Sequence, residues 1–229
     1  MGCQQCMPRR ANLNTHCGNA MMTSLLWTPQ AIEAMTEPLK LYLVRHGETA
    51  WSLSGQHTGS TDIPLTAHGE DEVRGLAGYF NKIPFAHVLS SPRQRARRTC
   101  ELLGLGNALE INQDLAEWDY GTYEGQRTAD IRKDRPNWDL WKDGCPGGEM
   151  PADVSARADR LIAYLCSLHG NVALISHGHF GCALAARWIG LAIDDGQHLV
   201  IDPASLGILG FAPRHDDVRA ILLWNASCG

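Results

Sequence analysis

The chain has 229 residues, 44% of them hydrophobic and 20% charged. That balance fits an ordinary globule of one domain and excludes a disordered or fibrous chain. No stretch approaches the run of about eighteen apolar residues that a membrane-spanning helix needs, and a formal net charge of −5 gives no overall attraction for nucleic acid, so any anion site must be a local cluster of Arg.

Residues 1–34 carry only Arg9, Arg10 and Glu33 as formal charges and show no sustained helical or strand period. Cys6 stands where a myristoylation motif needs Ser or Thr, and Leu25-Leu26-Trp27 is too short for a signal-peptide core. The segment reads as a disordered extension or a misplaced translation start, with residues 35–229 forming the folded domain. Of the eight cysteines, Cys3, Cys6 and Cys17 lie in this segment, and Cys100, Cys145, Cys166, Cys182 and Cys228 are scattered singly. Such scatter predicts reduced thiols and a cytoplasmic setting instead of a disulfide framework. Cys3-x-x-Cys6 with His16 and Cys17 is too little for a metal site at a chain terminus.

From Leu41 the pattern sharpens. Leu41–Val44 is a short apolar run that predicts a buried strand, and it stops at Arg45-His46-Gly47. A polar loop with Gly55, Gly59 and Pro64 follows. Thr66 predicts a helix N-cap, with Glu70 near the reciprocal capping position and the helix running to about Phe80. Phe85–Leu89 predicts a second strand ending at Ser90-Ser91-Pro92. Pro92 suits the first turn of a helix that carries Arg93, Arg95, Arg97 and Arg98 and ends near Gly104. Leu109–Ile111 is a short third strand. The segment 114–148, rich in Trp, Gly and charge, reads as an irregular insertion with short helices. Ala152–Leu168 has one apolar face and predicts a helix. Val172–Ile175 is a strand leading into Ser176-His177-Gly178, Phe180–Ile189 is helical, and Leu206–Phe211 pairs with Val218–Trp224 as a hairpin around Pro213–Asp217. Strands alternating with helices predict an α/β three-layer sandwich with a mainly parallel central sheet flanked by helices.

Two strands therefore end in His-Gly. Ligands in open α/β sheets bind beyond the carboxyl ends of the strands, so His46 and His177 share a crevice if their strands are neighbours. Arg95 follows the end of a third strand on the same edge. Two Arg and two His around one point match a phosphoryl group, Arg through its planar fork. Taken singly, each piece has a plain structural alternative: a strand histidine, a solvated helix face.

The order His46, Arg95, Glu117, His177, with its surroundings, resembles the histidine phosphatase superfamily, also called phosphoglycerate mutase-like. The segments that carry the resemblance are Leu43–Thr49, Thr58-Gly59 with Thr61–Thr66, Ser90-Ser91-Pro92 with Arg95-Ala96 and Thr99, Glu117 through Gly125, and Ser176-His177-Gly178. The resemblance implies that His46 is the nucleophile that becomes phosphohistidine. It implies that Arg45, Arg95 and His177 hold the phosphoryl oxygens and that Glu117 protonates the leaving oxygen. Ser52 stands where relatives often carry Asn as a further phosphate donor, and Thr58 and Gly59 match a loop lining the pocket. Gly178, next to the second histidine, is expected at the substrate. Cationic neighbours should keep His46 neutral, and nothing in the scheme needs a metal or other cofactor.

Glu117–Gly121 with Tyr123-Glu124-Gly125, Gly55–Gly59, Asp143-Gly144-Cys145 and Ser176–Phe180 are most similar to the sugar-phosphate branch that includes sedoheptulose bisphosphatases. The implied activity is hydrolysis of a small phosphorylated metabolite. The insertion 121–150 is short, and Arg127, Arg132, Lys133, Arg135 and Lys142 are its only bases. That favours hydrolysis over phosphoglycerate mutase activity, the runner-up, for which Trp51, Trp118, Trp138 and Trp141 could form a water-excluding lid. A non-catalytic phosphate-binding module is a further alternative. Gly144–Glu149 is expected to shape a substrate-facing loop, and the sequence gives Glu149 no partner.

Overall fold

The computed structural model describes residues 38–227. The expectations for residues 1–34, including Cys3, Cys6, His16 and Cys17, and for Cys228 lie outside these residues. Six strands form one sheet. In chain order they are β1 (Lys40–Arg45), β2 (Phe85–Ser90), β3 (Leu109–Ile111), β4 (Asn171–Ser176), β5 (Leu206–Ala212) and β6 (His215–Ala226). The sheet order is β3-β2-β4-β1-β5-β6. The first four of these lie parallel, and β5 and β6 extend the sheet antiparallel beyond β1.

The apolar run at Leu41–Val44 is explained by burial on both faces, the usual state of a central parallel strand. Leu41 and Leu43 point to one side, where they pack with α6 (Pro151–Leu165) and α7 (Gly178–Trp188) through Val154, Leu161, Phe180 and Leu184. Tyr42 and Val44 point to the other, against α2 (Ala67–Phe80) and α3 (Gln94–Leu102) through Val73, Leu76, Phe80, Ala96 and Cys100. The period-two alternation of one strand thus builds both halves of the core. The insertion is irregular as expected, with short helices α4 (Thr128–Asp134) and α5 (Leu140–Asp143) among 3-10 turns. Among the described residues no helix is long and apolar enough to cross a membrane.

Register places the site. Arg45 pairs with Ser176 across β1 and β4, and Ser90 pairs with Ile175 across β2 and β4. Three neighbouring parallel strands therefore end level, and the next residues, His46, His177 and Ser91, emerge on one edge. The His46 N–H donates to Ser176 O at 3.0 Å and the Ser91 N–H to Ile175 O at 3.0 Å, continuing the ladder one step past the strands.

Several element ends differ from the sequence reading. The helix after β2 begins at Gln94, not at Pro92, because its free N-terminal N–H is capped from a distance: Gln94 N donates to Asp62 Oδ1 at 2.7 Å. Glu70 takes no part in capping. Gly69 N donates to Thr66 Oγ1, the Thr66 hydroxyl donates to Glu48, and Glu70 instead accepts from Arg74 and Arg98. A five-residue helix, α1 (Ala50–Ser54), occupies the start of the expected loop, closed by a reciprocal box between Thr49 and Ser52. The final strand is longer than expected because Pro213-Arg214 alone makes the turn, with Arg214 at φ 69°.

The loop after β1 is locked against the start of α2. A Cβ on Gly69 would stand 2.5 Å from Glu48 N and also overlap the Glu48 carbonyl oxygen, while a Cβ on Gly47 would stand 2.5 Å from Gly69 O. These contacts are backbone to backbone and cannot be relieved by a rotamer change. Gly69→Ala is expected to cost about 1–3 kcal/mol in urea unfolding and to lower turnover as well, since the strained segment carries His46. An unchanged unfolding midpoint would show that the two backbones can separate freely.

Candidate active site

His46 follows the last residue of β1 and is 5% exposed. Its Nδ1 lies 2.8 Å from Gly47 O, and its Nε2 accepts from Arg95 Nε at 3.2 Å. A carbonyl on one side and an N–H donor on the other fix the tautomer: the proton is on Nδ1 and the lone pair on Nε2. Burial first, then the guanidiniums of Arg95 and Arg45, hold its pKa well below the ordinary histidine value. The sequence argument named only the cations; dehydration of the ring is the larger cause.

His177, at the end of β4, is fully buried, and its ring centroid lies 5.1 Å from that of His46. Its Nδ1 accepts from the same Arg95 Nε at 3.2 Å, and its Nε2 donates to Ser91 Oγ at 2.7 Å. Burial, with Arg95 next, keeps it neutral too. Arg95 is buried in the first turn of α3, with its Nη groups donating to the carbonyls of Thr58 (2.8 Å), Thr61 (3.0 Å) and Gly59 (3.2 Å). That loop is itself pinned by Glu124, which accepts from Gly59 N and Thr61 N. A Cβ at Gly59 would overlap the Trp118 carbonyl, so only glycine fits.

Arg45 closes the other side. One Nη donates to Ile201 O at 2.7 Å, and its buried Nε has no partner among the described residues. Its guanidinium lies along Gly178, where a Cβ would stand 3.4 Å from Cζ. Glu117, 8% exposed, accepts from the N–H groups of Trp118 (2.9 Å), Phe180 (2.8 Å) and His179 (3.1 Å). Two of these donors are the free N–H groups at the start of α7, the end of a helix that favours a carboxylate.

A cavity of about 270 Å³ opens over these groups. Of the residues singled out from the sequence, Arg45, His46, Ser52, Thr58, Glu117 and Gly178 line it. Arg95 and His177 stand against His46 instead, and Gly59 stands against Arg95. Ser52 reaches the wall, but its hydroxyl is already committed: it accepts from Thr49 N at 2.8 Å and donates to Thr49 O at 3.0 Å. Ser52 therefore caps α1 from a position on the cavity wall. Gly144–Glu149 does not reach the cavity, so this loop does not face the substrate space as expected and lies instead against residues 119–121.

The cavity also has a floor, made of residues outside that set. His57, Tyr120, Trp141, His179, Gln56 and Gln197 line it. The Tyr120 hydroxyl meets His179 Nδ1 at 2.7 Å, and the His57 ring lies over Tyr120 at 4.6 Å between centroids. Burial lifts the Tyr120 pKa well above its usual value and lowers that of His179, so the phenol donates and the imidazole accepts. Burial and then His179 push His57 down to about 4. Proximity of two more histidines to the Gly-rich loop and to the second His-Gly was the available signal. Among the described residues no three or more His, Cys, Asp or Glu side chains are placed to hold a metal ion.

With this geometry in hand, comparison with known proteins is decisive. The sequence pattern of the histidine phosphatase superfamily (branch 1) matches residues 41–226. The chain belongs to that family. It is 42% identical to an acid phosphatase of Mycobacterium tuberculosis over 75% of this chain and 86% of that protein. It is 35% identical to the sedoheptulose 1,7-bisphosphatase of Saccharomyces cerevisiae over 66% and 68%. A probable phosphoglycerate mutase of Escherichia fergusonii is 32% identical over 64% and 74%. The solved structure of an open reading frame product from Mycobacterium tuberculosis superposes with a TM-score of 0.76 at 38% identity, covering 83% of this chain and 98% of that one.

Four neutral histidines, three of them buried and His179 half-buried, give the fold a definite acid sensitivity. Above pH 6.5 His57 is unprotonated folded or unfolded; below it the unfolded chain takes up a proton that the folded site refuses down to about 4. His57 alone removes about 2 kcal/mol of stability between pH 6.5 and about 5, and His46, His177 and His179 act in the same direction. Urea unfolding at stepped pH should show this fall, with a shallower slope in His57→Gln. Equal slopes in the two proteins would refute the assignment.

Proposed function

We propose that the protein hydrolyses small phosphate monoesters, sugar phosphates foremost, in two displacements at His46 Nε2. The observation that carries this reading is the fixed tautomer of His46, which leaves a neutral lone pair on Nε2 beside a cavity that also holds Arg45 and Glu117. In the first displacement Nε2 attacks phosphorus and the ester P–O bond breaks. The leaving oxygen takes a proton from the Glu117 carboxylic acid. In the second, water attacks phosphorus and gives a proton to the Glu117 carboxylate, the P–N bond breaks, and phosphate departs from a regenerated imidazole.

The surroundings fit the charge that each state carries. A ring phosphorylated on Nε2 and protonated on Nδ1 is cationic, and the 2.8 Å contact with Gly47 O accepts that charge. Phosphorylation also removes one of the two acceptors of the Arg95 Nε–H, which can then turn to a phosphoryl oxygen, while Arg45 offers an Nε without a partner among the described residues. Three of the five groups read from the sequence, His46, Arg45 and Arg95, thus act on the phosphoryl group itself, Glu117 acts on the leaving oxygen and the water, and His177, expected at the phosphoryl oxygens, instead orients Arg95 by sharing its Nε–H.

The floor of the cavity supports a sugar as the alcohol. Gln56, Gln197, Tyr120, His57 and His179 present donors and acceptors without formal charge, and Trp141 adds an aromatic wall. Arg45 is the only Lys or Arg among the lining residues. A phosphoglycerate carboxylate would find no second cation there, which favours hydrolysis over a mutase reaction. The buried thiols Cys100, Cys145 and Cys182 suit a reducing, cytoplasmic setting.

Incubation with a ³²P-labelled monoester and a rapid quench is expected to trap label that is stable in base and lost in acid, and His46→Ala should trap none. Glu117→Gln should still label but turn over roughly 10²–10⁴-fold more slowly on an alkyl ester. Absence of label in the parent protein with full turnover would rule out the covalent route. On 3-phosphoglycerate, isomerisation outrunning phosphate release would instead establish the mutase reading.

A further inference from the structure

Glu149 finds its partner in Arg157, a buried residue of α6 at 9% exposure. The pair is bidentate: Arg157 Nε donates to Oε1 and Nη2 to Oε2, each at 2.8 Å. The remaining N–H groups are spent on main-chain carbonyls, of Ala116 (2.7 Å), Asp114 (2.9 Å) and Glu117 itself (3.4 Å). The guanidinium carbon lies 4.2 Å from the centroid of the Phe180 ring, and Phe180 is the residue whose N–H donates to the Glu117 carboxyl. Glu149 holds the same segment from its other side. Its Oε2 accepts from Asp119 N, its carbonyl from the Trp118 indole and its N–H donates to Asp119 O, all at 2.9 Å.

The loop before Glu149 is pressed onto that segment as well. A Cβ on Gly148 would overlap the Asp119 carbonyl, and one on Gly121 would overlap that of Pro146. Residues 114–121 are thus fastened at main-chain atoms on both sides of Glu117, with no substrate cavity between. A buried ion pair of this kind is a weak source of stability, since dehydrating the two charges offsets most of their attraction. What it supplies is direction: the guanidinium plane fixes several carbonyls at once and seats the aromatic ring under them.

We propose that Arg157 and Glu149 are positioning residues for Glu117, setting the angle at which its carboxyl meets the leaving oxygen. The proposal rests on the reading of Glu117 as the proton donor. It makes one demand that a purely structural pair would not: loss of the brace must hurt esters whose leaving oxygen needs a proton and largely spare those whose leaving group departs as a stable anion. Displacement of an acid by a fraction of its hydrogen-bond length is enough to slow proton transfer by about 10²-fold.

The test is kcat/KM, which reports transfer to His46, for glycerol 2-phosphate and for p-nitrophenyl phosphate. Glu117→Gln sets the scale, with a large loss on the alkyl ester and a much smaller one on the aryl ester. Glu149→Gln keeps the shape of the pair and removes its charge; Arg157→Lys keeps the charge and removes the fork. Each is expected to lose about 10-fold to 10²-fold on glycerol 2-phosphate and less than about threefold on p-nitrophenyl phosphate. Equal losses on both esters in every variant that folds, or failure of both variants to fold, would overturn the proposal and make the pair structural. If Glu117→Gln itself fails to distinguish the two esters, the fault lies with the reading of Glu117 and not with the brace.

Discussion

One N–H group organises the centre of this protein. The Nε–H of Arg95 is shared between Nε2 of His46 and Nδ1 of His177, at 3.2 Å to each. Because it occupies an acceptor on both rings, it dictates where both rings carry their protons, and with them which nitrogen of His46 keeps its lone pair. The same guanidinium gathers the carbonyls of Thr58, Gly59 and Thr61. A loop, two strand ends and a helix start are therefore assembled around a single charged plane, so the site and the fold close together.

Burial does the electrostatic tuning. Dehydration is the first cause of the depressed basicity of His46, His57, His177 and His179. A neutral imidazole keeps its lone pair, whereas an imidazolium beside two guanidiniums would have to be held against repulsion. The fold thus concentrates positive charge on Arg45 and Arg95 and leaves every ring uncharged. That division suits a ligand that arrives as an anion and a nucleophile that must not repel the cations around it.

What the sequence made legible was local. A run such as Leu41–Val44 announces a strand, and the residue that follows it is at a strand end, so His46, His177 and the neighbourhood of Arg95 could be placed before any contact was known. The partner that each polar side chain takes could not be read this way, whether near or distant along the chain. Asp62 caps α3 from across a loop and displaces the helix start expected at Pro92; Thr49, three residues away, consumes the hydroxyl of Ser52; and Glu149 is answered by Arg157 on a later helix. His57 and His179 show the same limit from another side. Each sits in a recognisable segment, but their common purpose lies in Tyr120, which touches both and comes from the insertion.

Arg95 and Arg157 make an instructive pair. Both are buried, both collect main-chain carbonyls, and each stands behind a residue of the cavity wall. They differ in what remains. Arg157 has every N–H directed to a carbonyl or to Glu149. Among the described residues Arg95 has no carboxylate hydrogen-bond partner, and its Nε–H is lent to two neutral nitrogens, a weak acceptor pair compared with a charged oxygen. An anion bound at His46 can outcompete imidazole for that donor, but nothing entering the cavity can outcompete Glu149 for Arg157. The difference in partner strength separates a guanidinium free to turn to an incoming anion from one committed to holding the chain, although both are buried and chemically alike.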